Sequence, residues 1–153
     1  MKIEVTADRF RLAEVFTISR GSRTAADVLT VTVSDGAHVG QGECVPYARY
    51  GETLESVAAE INALGPLDRT DLQSALGPGA ARNAVDCAMW DLEAKQAGRR
   101  VWDLAGLAAL QPVVTAFTLS LDTPENMRAA AARHAQRPLL KIKLGGEGDM
   151  ARL

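Results

Sequence analysis

The chain has 153 residues, of which 47% are hydrophobic and 24% are charged, and its formal net charge is −2. This balance suits one ordinary domain or a small pair, and it gives no electrostatic reason to expect nucleic acid or an acidic membrane surface as a partner. No apolar run approaches the ~20 residues of a membrane span. The two cysteines, Cys44 and Cys87, lie too far apart for a metal motif. We therefore expect a cytoplasmic protein with reduced thiols.

The N-terminal third predicts a sheet of three antiparallel strands. Residues 2–13 and 26–34 are rich in β-branched and apolar side chains, and Asp35-Gly36 then supplies a hairpin turn into a third strand at 38–45. Residues 19–24 are interpreted as a loop between the first two strands, with Arg20 and Arg23 on either side of Gly21. The sheet is therefore expected to carry a polar, arginine-containing loop.

Helical periodicity follows from residue 54. Apolar residues recur at helical spacing over 54–64, where Gly65-Pro66 ends the pattern, and a short helix is expected at 70–77. A longer, alanine-rich helix is predicted over 80–97 and ends at Gly98. Between the third strand and these helices, residues 46–52 form a second loop with unusual aromatic content.

The C-terminal part predicts a strand–helix–strand unit. An apolar strand without polar alternation is expected at 113–121, and a second buried strand at 139–144. Between them, a helix should begin at Thr123-Pro124 and run to about residue 136. A unit of this kind implies two parallel strands with a right-handed crossover.

Lys141 and Lys143 are the chemically most suggestive pair in the sequence. Because strand side chains alternate, both amines lie on one face of the second strand. In a dry pocket, their mutual repulsion and their desolvation would both lower the lysine pKa toward that of a working base. The alternative is an ordinary half-exposed strand whose lysines lie in water.

The chain resembles the N-terminal part of the enolase superfamily, in its muconate-cycloisomerase-like subgroup, and within that subgroup the dipeptide epimerases. The lysine pair marks the subgroup broadly. Arg-Gly-Ser-Arg at 20–23 together with Tyr-Ala-Arg-Tyr-Gly-Glu at 47–52 points to dipeptide epimerases of the L-Ala-D/L-Glu kind. The resemblance also rests on residues 80–92 and on Thr-Ala-Phe-Thr at 115–118.

The resemblance implies an α+β capping domain over residues 1–111, with a three-stranded antiparallel sheet and helices. Residues 112–153 would then begin a modified (β/α) TIM-type barrel and supply its first two strands. Barrel active sites lie at the carboxyl ends of the strands. In that family pattern Lys143 is the catalytic base, and Lys141 helps to neutralise the substrate carboxylate.

Three further residues would contact the dipeptide substrate by the same analogy. Arg23 would bind the glutamyl side-chain carboxylate through a bidentate contact, or it would be a surface arginine of a mobile loop. Thr118 is a second candidate for substrate binding. Tyr50 would shape the pocket, or would only pack the loop.

The resemblance implies Mg²⁺ as the cofactor, with its acidic ligands and a second lysine beyond residue 153. No metal ligand is assigned within this chain. Two parallel strands leave their outer edges unpaired, so we expect residues 1–153 to be the N-terminal portion of a longer protein. The remainder of the barrel, from a missing part or from another chain, is then an expected partner, and a homo-oligomer is compatible with the sequence.

Other functions stay open at this point. Another dipeptide epimerase, a lactonising cycloisomerase or an o-succinylbenzoate synthase would use the same lysine pair. A non-catalytic interaction domain, with residues 112–153 as its tail, is the alternative from a different class. The resemblance suggests murein-peptide metabolism as the biological setting.

Overall fold

The computed structural model describes all 153 residues, and the contacts between residues divide the chain into two units. The first unit contains residues Met1–Phe10 and Asp27–Leu110. The second contains Arg11–Ala26 and Gln111–Leu153. The outer half of the first hairpin therefore belongs to the same unit as the C-terminal segment.

The elements follow one another as an antiparallel sheet, a set of helices and a short parallel pair of strands. The strands are β1 (Lys2–Ile18), β2 (Gly21–Ser34), β3 (Val39–Cys44), β4 (Phe117–Leu119) and β5 (Leu140–Ile142). The helices are α1 (Leu54–Asn62), α2 (Arg69–Ala75), α3 (Ala80–Ala97), α4 (Val101–Leu104), α5 (Pro124–Arg133) and α6 (Asp149–Arg152), with a 3-10 turn at Ala48–Tyr50. None of the helices has the length and apolar character needed to cross a membrane.

The core of the first unit lies between the sheet and α3. Strand order is β1-β2-β3, and β2 pairs antiparallel with β3 from Leu29 opposite Cys44 to Ser34 opposite Val39. Val31 and Val33 of β2 are fully buried, as are Ala84 and Ala88 of α3. The alternation of the strand and the helical spacing of α3 thus direct their apolar residues into one layer.

Local signals set the helix ends. Thr53 and Ser56 form a reciprocal capping box at the start of α1, and Asp68 caps α2 through the amide of Asp71. α3 ends at Gly98, whose left-handed conformation suits glycine. The predicted bounds of α3, 80–97, are confirmed.

The predicted loop at residues 19–24 is wrong. β1 continues to Ile18 and β2 begins at Gly21, so that only Ser19 and Arg20 turn the chain. Gly21 has a φ of +136°, which allows the backbone to re-enter the sheet at once. Strand pairing also satisfies backbone groups that a six-residue loop would have left to water.

The predicted parallel pair is confirmed, but both strands are shorter and more exposed than expected. β4 pairs in parallel with β5 from Phe117 opposite Leu140 to Leu119 opposite Ile142. The ladder starts where the Phe117 amide donates to the Leu139 carbonyl at 3.0 Å. Val113 and Val114 are 84% and 65% exposed, and Ile142 is 39% exposed, where coverage on both faces was expected.

Candidate active site

Three predicted residues lie in or directly after β4 and β5. Thr118 lies directly opposite Lys141 in the parallel register, so the two side chains share a face of the sheet. Lys143 follows two residues later, just past the end of β5, and is half-buried, whereas Lys141 is exposed. The register therefore puts Thr118 beside Lys141, and Lys143 follows at the carboxyl end of the same strand.

The hairpin that carries Arg23 contacts the segment after β4. The Ser120 hydroxyl accepts a hydrogen bond from the Thr17 amide at 3.2 Å and donates one to the Val15 carbonyl at 3.1 Å. The Leu121 amide also donates to the Thr17 carbonyl at 3.0 Å. The outer part of β1 thus continues alongside the chain that leaves β4.

Arg23 lies in β2, close to this contact. The hydroxyls of Thr17 and Ser22 are 2.8 Å apart and join the two strands of the hairpin immediately before Arg23. Arg23 is exposed and lies on a paired strand instead of in the loop that the sequence predicted. Its position is therefore set by the hairpin, and its contact with a substrate stays a prediction.

Tyr50 belongs to the first unit. It lies in the 3-10 turn, is 75% exposed, and its ring centroid is 5.7 Å from that of Tyr47. The carboxylate of Glu52 holds this turn, because it accepts from the Tyr47 amide at 3.0 Å and from the Ala80 amide, at the start of α3, at 2.7 Å. The turn is therefore anchored, and the role of Tyr50 stays a prediction.

Two residues that sequence reasoning missed hold these segments in place, namely Ser120 and Glu52. Ser120 lies two residues after Thr118, so strand alternation could have marked it as sharing that face. Its partners, however, lie 103 and 105 residues away in the sequence. Glu52 ends the Tyr-Ala-Arg-Tyr-Gly-Glu motif, but its bond to Ala80 spans 28 residues.

A hollow of about 620 Å³ in the second unit is lined by the predicted site residue Thr118 but by neither lysine. Residues from β1, β4 and α5 line the rest of it, including Phe16, Met127 and Ala130. Because its wall is mostly apolar and lacks both amines, we do not assign it as the substrate site.

The acidic residues of the chain do not fit a magnesium site. No group of three or more histidine, cysteine, aspartate or glutamate side chains is placed so that it could hold a metal ion. Asp149, the nearest aspartate in sequence after the lysine pair, already accepts the amides of Gly145 and Gly146. We therefore derive no catalytic step through a metal.

Residues 1–106 match the model of the mandelate racemase/muconate lactonizing enzyme N-terminal domain. The chain belongs to this family. It is thus an enolase-superfamily capping domain, followed by the first two strands of the barrel. The expected fold class is confirmed, because the family match covers the antiparallel sheet and the helices that follow it, and the parallel pair comes after them.

Relatives of this capping domain include several epimerases. The L-Ala-D/L-Glu epimerase of Escherichia coli K12 is 41% identical over 149 residues, which cover 93% of this chain and 46% of that protein. An enolase family member from Agrobacterium tumefaciens with homology to dipeptide epimerases, solved with sodium and L-Ala-L-Glu, is 54% identical. Its TM-score is 0.92 over 98% of this chain and 48% of its own.

A dipeptide epimerase from Enterococcus faecalis V583, solved with Mg and L-Leu-L-Tyr, is 30% identical, with a TM-score of 0.84 over 98% of this chain and 47% of its own. The chain therefore spans about half the length of the relatives it matches.

Proposed function

We propose that this chain supplies the cap and the first two barrel strands of a dipeptide epimerase that acts on L-Ala-D/L-Glu dipeptides. The observation that carries the proposal is the shared edge of Thr118, Lys141 and Lys143 at the carboxyl ends of two parallel strands, in a chain related to such epimerases. In this proposal the capping domain comprises residues 1–111, and residues 112–153 begin the barrel.

Epimerisation removes a proton α to a carboxylate, which places additional negative charge on that group. A lysine in its neutral form can take this proton if its amine lies on the correct face of the substrate. In the proposal Lys143 is this base, and Lys141, two residues earlier on the same face, offsets the charge of the carboxylate. The position of Lys143 supports the assignment, since the residue is half-buried and follows directly after the last paired residue of β5.

Arg23 is proposed to select the substrate. A guanidinium binds a carboxylate through two parallel hydrogen bonds, so it favours a glutamyl side chain over an apolar one. The hydrogen bonds of Ser120 and Thr17 support this role, because they join the hairpin to the chain that leaves β4. Thr118 and Tyr50 are proposed as further substrate contacts.

The remaining proposals concern cofactor, partners and setting. Solved relatives are described with Mg and dipeptides, and we infer the same cofactor here, with its ligands outside this sequence. The remainder of the barrel is the proposed partner, and a homo-oligomer is compatible with this arrangement. A cytoplasmic role in murein-peptide metabolism is proposed as the setting.

Isotope exchange tests the proposal. The chain would be incubated with L-Ala-L-Glu and Mg²⁺ in deuterated water, alone and as a hybrid in which the uncovered half of the Agrobacterium relative follows residue 153. We expect α-hydrogen exchange and epimerisation by the hybrid and none by the chain alone. Lys143→Ala should abolish both in the hybrid, whereas Lys2→Ala, an exposed lysine of β1, should not. A hybrid that folds, binds Mg²⁺ and does not exchange would contradict the proposal.

Substrate choice is tested separately with Arg23→Met in the hybrid. The loss of a charge-assisted contact worth about 1.5–3 kcal/mol should raise KM for L-Ala-L-Glu by roughly 10- to 100-fold, with a smaller change in kcat. Arg20→Met, at the exposed turn of the same hairpin, is the matched control and should leave KM unchanged. An unchanged KM in Arg23→Met would favour another substrate, such as that of a cycloisomerase or an o-succinylbenzoate synthase.

A further inference from the structure

The glycine-rich segment after Lys143 is folded around one carboxylate. Asp149 Oδ1 accepts a hydrogen bond from the Gly145 amide at 2.9 Å, and its Oδ2 accepts one from the Gly146 amide at 2.6 Å. These amides lie two and three residues after Lys143. Gly146 has a φ of +111°, a conformation that a residue with a side chain rarely adopts. The Asp149 carboxylate therefore fixes the backbone directly after Lys143.

Arg152 connects this segment to the one that leaves β4. Its Nη1 donates to Asp149 Oδ1 at 3.1 Å and to the Glu147 carbonyl at 2.8 Å, while its Nε donates to the Asp122 carbonyl at 3.0 Å. Asp122 comes shortly after β4 ends at Leu119. The side chains of Arg152 and Asp149 are only 22% and 20% exposed, so water screens this ion pair less than a surface pair.

The charge of Asp149 matters for both sets of contacts. The pKa of Asp149 lies below its ordinary value, chiefly because its carboxylate accepts from the Gly145 amide. The Gly146 amide and the Arg152 guanidinium lower this pKa further, whereas burial opposes the shift. The carboxylate is thus ionised at neutral pH, when it accepts strongly from the two amides and pairs with Arg152.

Lys143 needs such support because the strand does not provide it. The ladder between β4 and β5 ends at Ile142, opposite Leu119. Lys143 therefore lies beyond the last paired residue, and its backbone is held on one side by the ladder and on the other only by the glycine-rich segment. A catalytic group must be held to within about half an ångström to act efficiently.

We propose that Asp149 and Arg152 are positioning residues for Lys143. Asp149 fixes the backbone after the lysine, and Arg152 joins that backbone to the end of β4, where Thr118 lies. The proposal rests on the proposed function in one respect, namely that Lys143 is the base. Neither residue touches the substrate in this scheme.

The structural half of the proposal is tested by NMR on the 153-residue chain. Asp149→Asn should speed solvent exchange of the Gly145 and Gly146 amides by about tenfold or more, since it removes a charge-assisted acceptor, and should raise backbone mobility at Lys143 and Leu144. Glu147→Gln is the matched control, because the exposed Glu147 lies in the same segment and its carboxylate makes no hydrogen bond. Unchanged exchange and mobility in a folded Asp149→Asn variant would overturn the proposal.

A pH titration of the unsubstituted chain gives a second reading if the variant does not fold. The amide signals of Gly145 and Gly146 should move together as Asp149 is protonated, with a midpoint below the ordinary aspartate pKa of about 3.9. Amide signals that do not move, or that track an ordinary aspartate titration, would also overturn it.

The catalytic half is tested in the hybrid enzyme described above. Asp149→Asn should lower kcat by roughly 10- to 100-fold, the cost of a misplaced catalytic group, and should leave KM for the dipeptide nearly unchanged. Glu147→Gln should change neither. If the hybrid is active and Asp149→Asn leaves its kcat unchanged, the positioning role is overturned. If the unsubstituted hybrid has no activity, the proposed function is contradicted. In that case the NMR measurements alone decide whether Asp149 fixes the segment.

Discussion

At the scale of single residues, Gly40 and Gly42 allow β3 to approach α3 closely. A Cβ built on Gly42 would overlap the carbonyl oxygen of Ala84, and one built on Gly40 would overlap that of Ala88. Both glycines therefore face the small-residue side of α3, where backbone lies against backbone. Their role is steric and does not depend on an unusual φ.

Gly42→Ala is expected to destabilise the first unit. The added methyl group must push α3 away from the sheet, and overpacking of this kind costs about 1–3 kcal/mol. Urea unfolding followed by the fluorescence of Trp90 and Trp102 would measure the loss. Gly65→Ala is the control, because a Cβ at Gly65 meets open space. Equal unfolding midpoints for Gly42→Ala and the unsubstituted chain would contradict the steric argument.

At the scale of elements, the outer half of the β1–β2 hairpin is joined to the chain that leaves β4. Ser120 provides both a donor and an acceptor to the edge of β1, and the Leu121 amide adds a backbone bond to Thr17. The hairpin arm is otherwise largely exposed over residues 13–16. These polar contacts therefore help to hold the arm that carries Arg23 in place.

Ser120→Ala should loosen the hairpin arm without unfolding the first unit. The Thr17 amide loses its acceptor and the Val15 carbonyl loses its donor, a change worth about 1 kcal/mol per hydrogen bond. Hydrogen exchange at Thr17 and Leu121 should become faster. Ser74→Ala, an exposed serine of α2 whose hydroxyl makes no hydrogen bond, should leave these rates unchanged. Identical rates in Ser120→Ala would show that the backbone bond alone holds the arm.

At the scale of the whole molecule, ionised aspartates contribute to both units. In the first unit, the pKa of Asp35 lies far below its ordinary value, because its carboxylate accepts hydrogen bonds from the Gln96 side chain and from the amides of His38 and Ala37. In the second unit, Asn126 and the Thr123 amide lower the pKa of Asp122, in addition to the shift at Asp149. Protonation of these groups therefore opposes folding in each unit.

The chain is expected to lose stability in acid. Because the folded-state pKa of each group lies below its unfolded value, the stabilisation is present above pH about 4 and is lost as the pH falls through the folded values. Thermal unfolding followed by circular dichroism between pH 7 and pH 2.5 would measure this. Asp35→Asn should reduce the pH dependence, whereas Asp71→Asn, an aspartate whose side chain makes no hydrogen bond, should not. An equal Tm at pH 6 and pH 3 would contradict the expectation.

Local sequence alone determined the four longer helices and the general order of the strands. The capping residue Thr53, the terminating Gly98 and the helical spacing of residues 80–97 act within a few positions of one another, so their effect is readable before any fold is known. The parallel pair was predictable for the same reason, because a strand, a helix and a strand of these lengths admit few arrangements. Strand alternation predicts both lysines on one face, but β5 ends at Ile142, so Lys143 lies outside the paired strand.

Only the tertiary structure decided how far the strands extend and what holds the candidate site. Arg23 lies on a strand because the pairing of β1 and β2 extends into the residues predicted as a loop. The Ser120 hydroxyl binds partners more than 100 residues away in the sequence. β4 pairs with β5 only over Phe117–Leu119, which no local pattern in 113–121 could reveal. Periodicity and capping report what each segment prefers, whereas ladders and long-range hydrogen bonds depend on which segments meet, and that is decided by the fold as a whole.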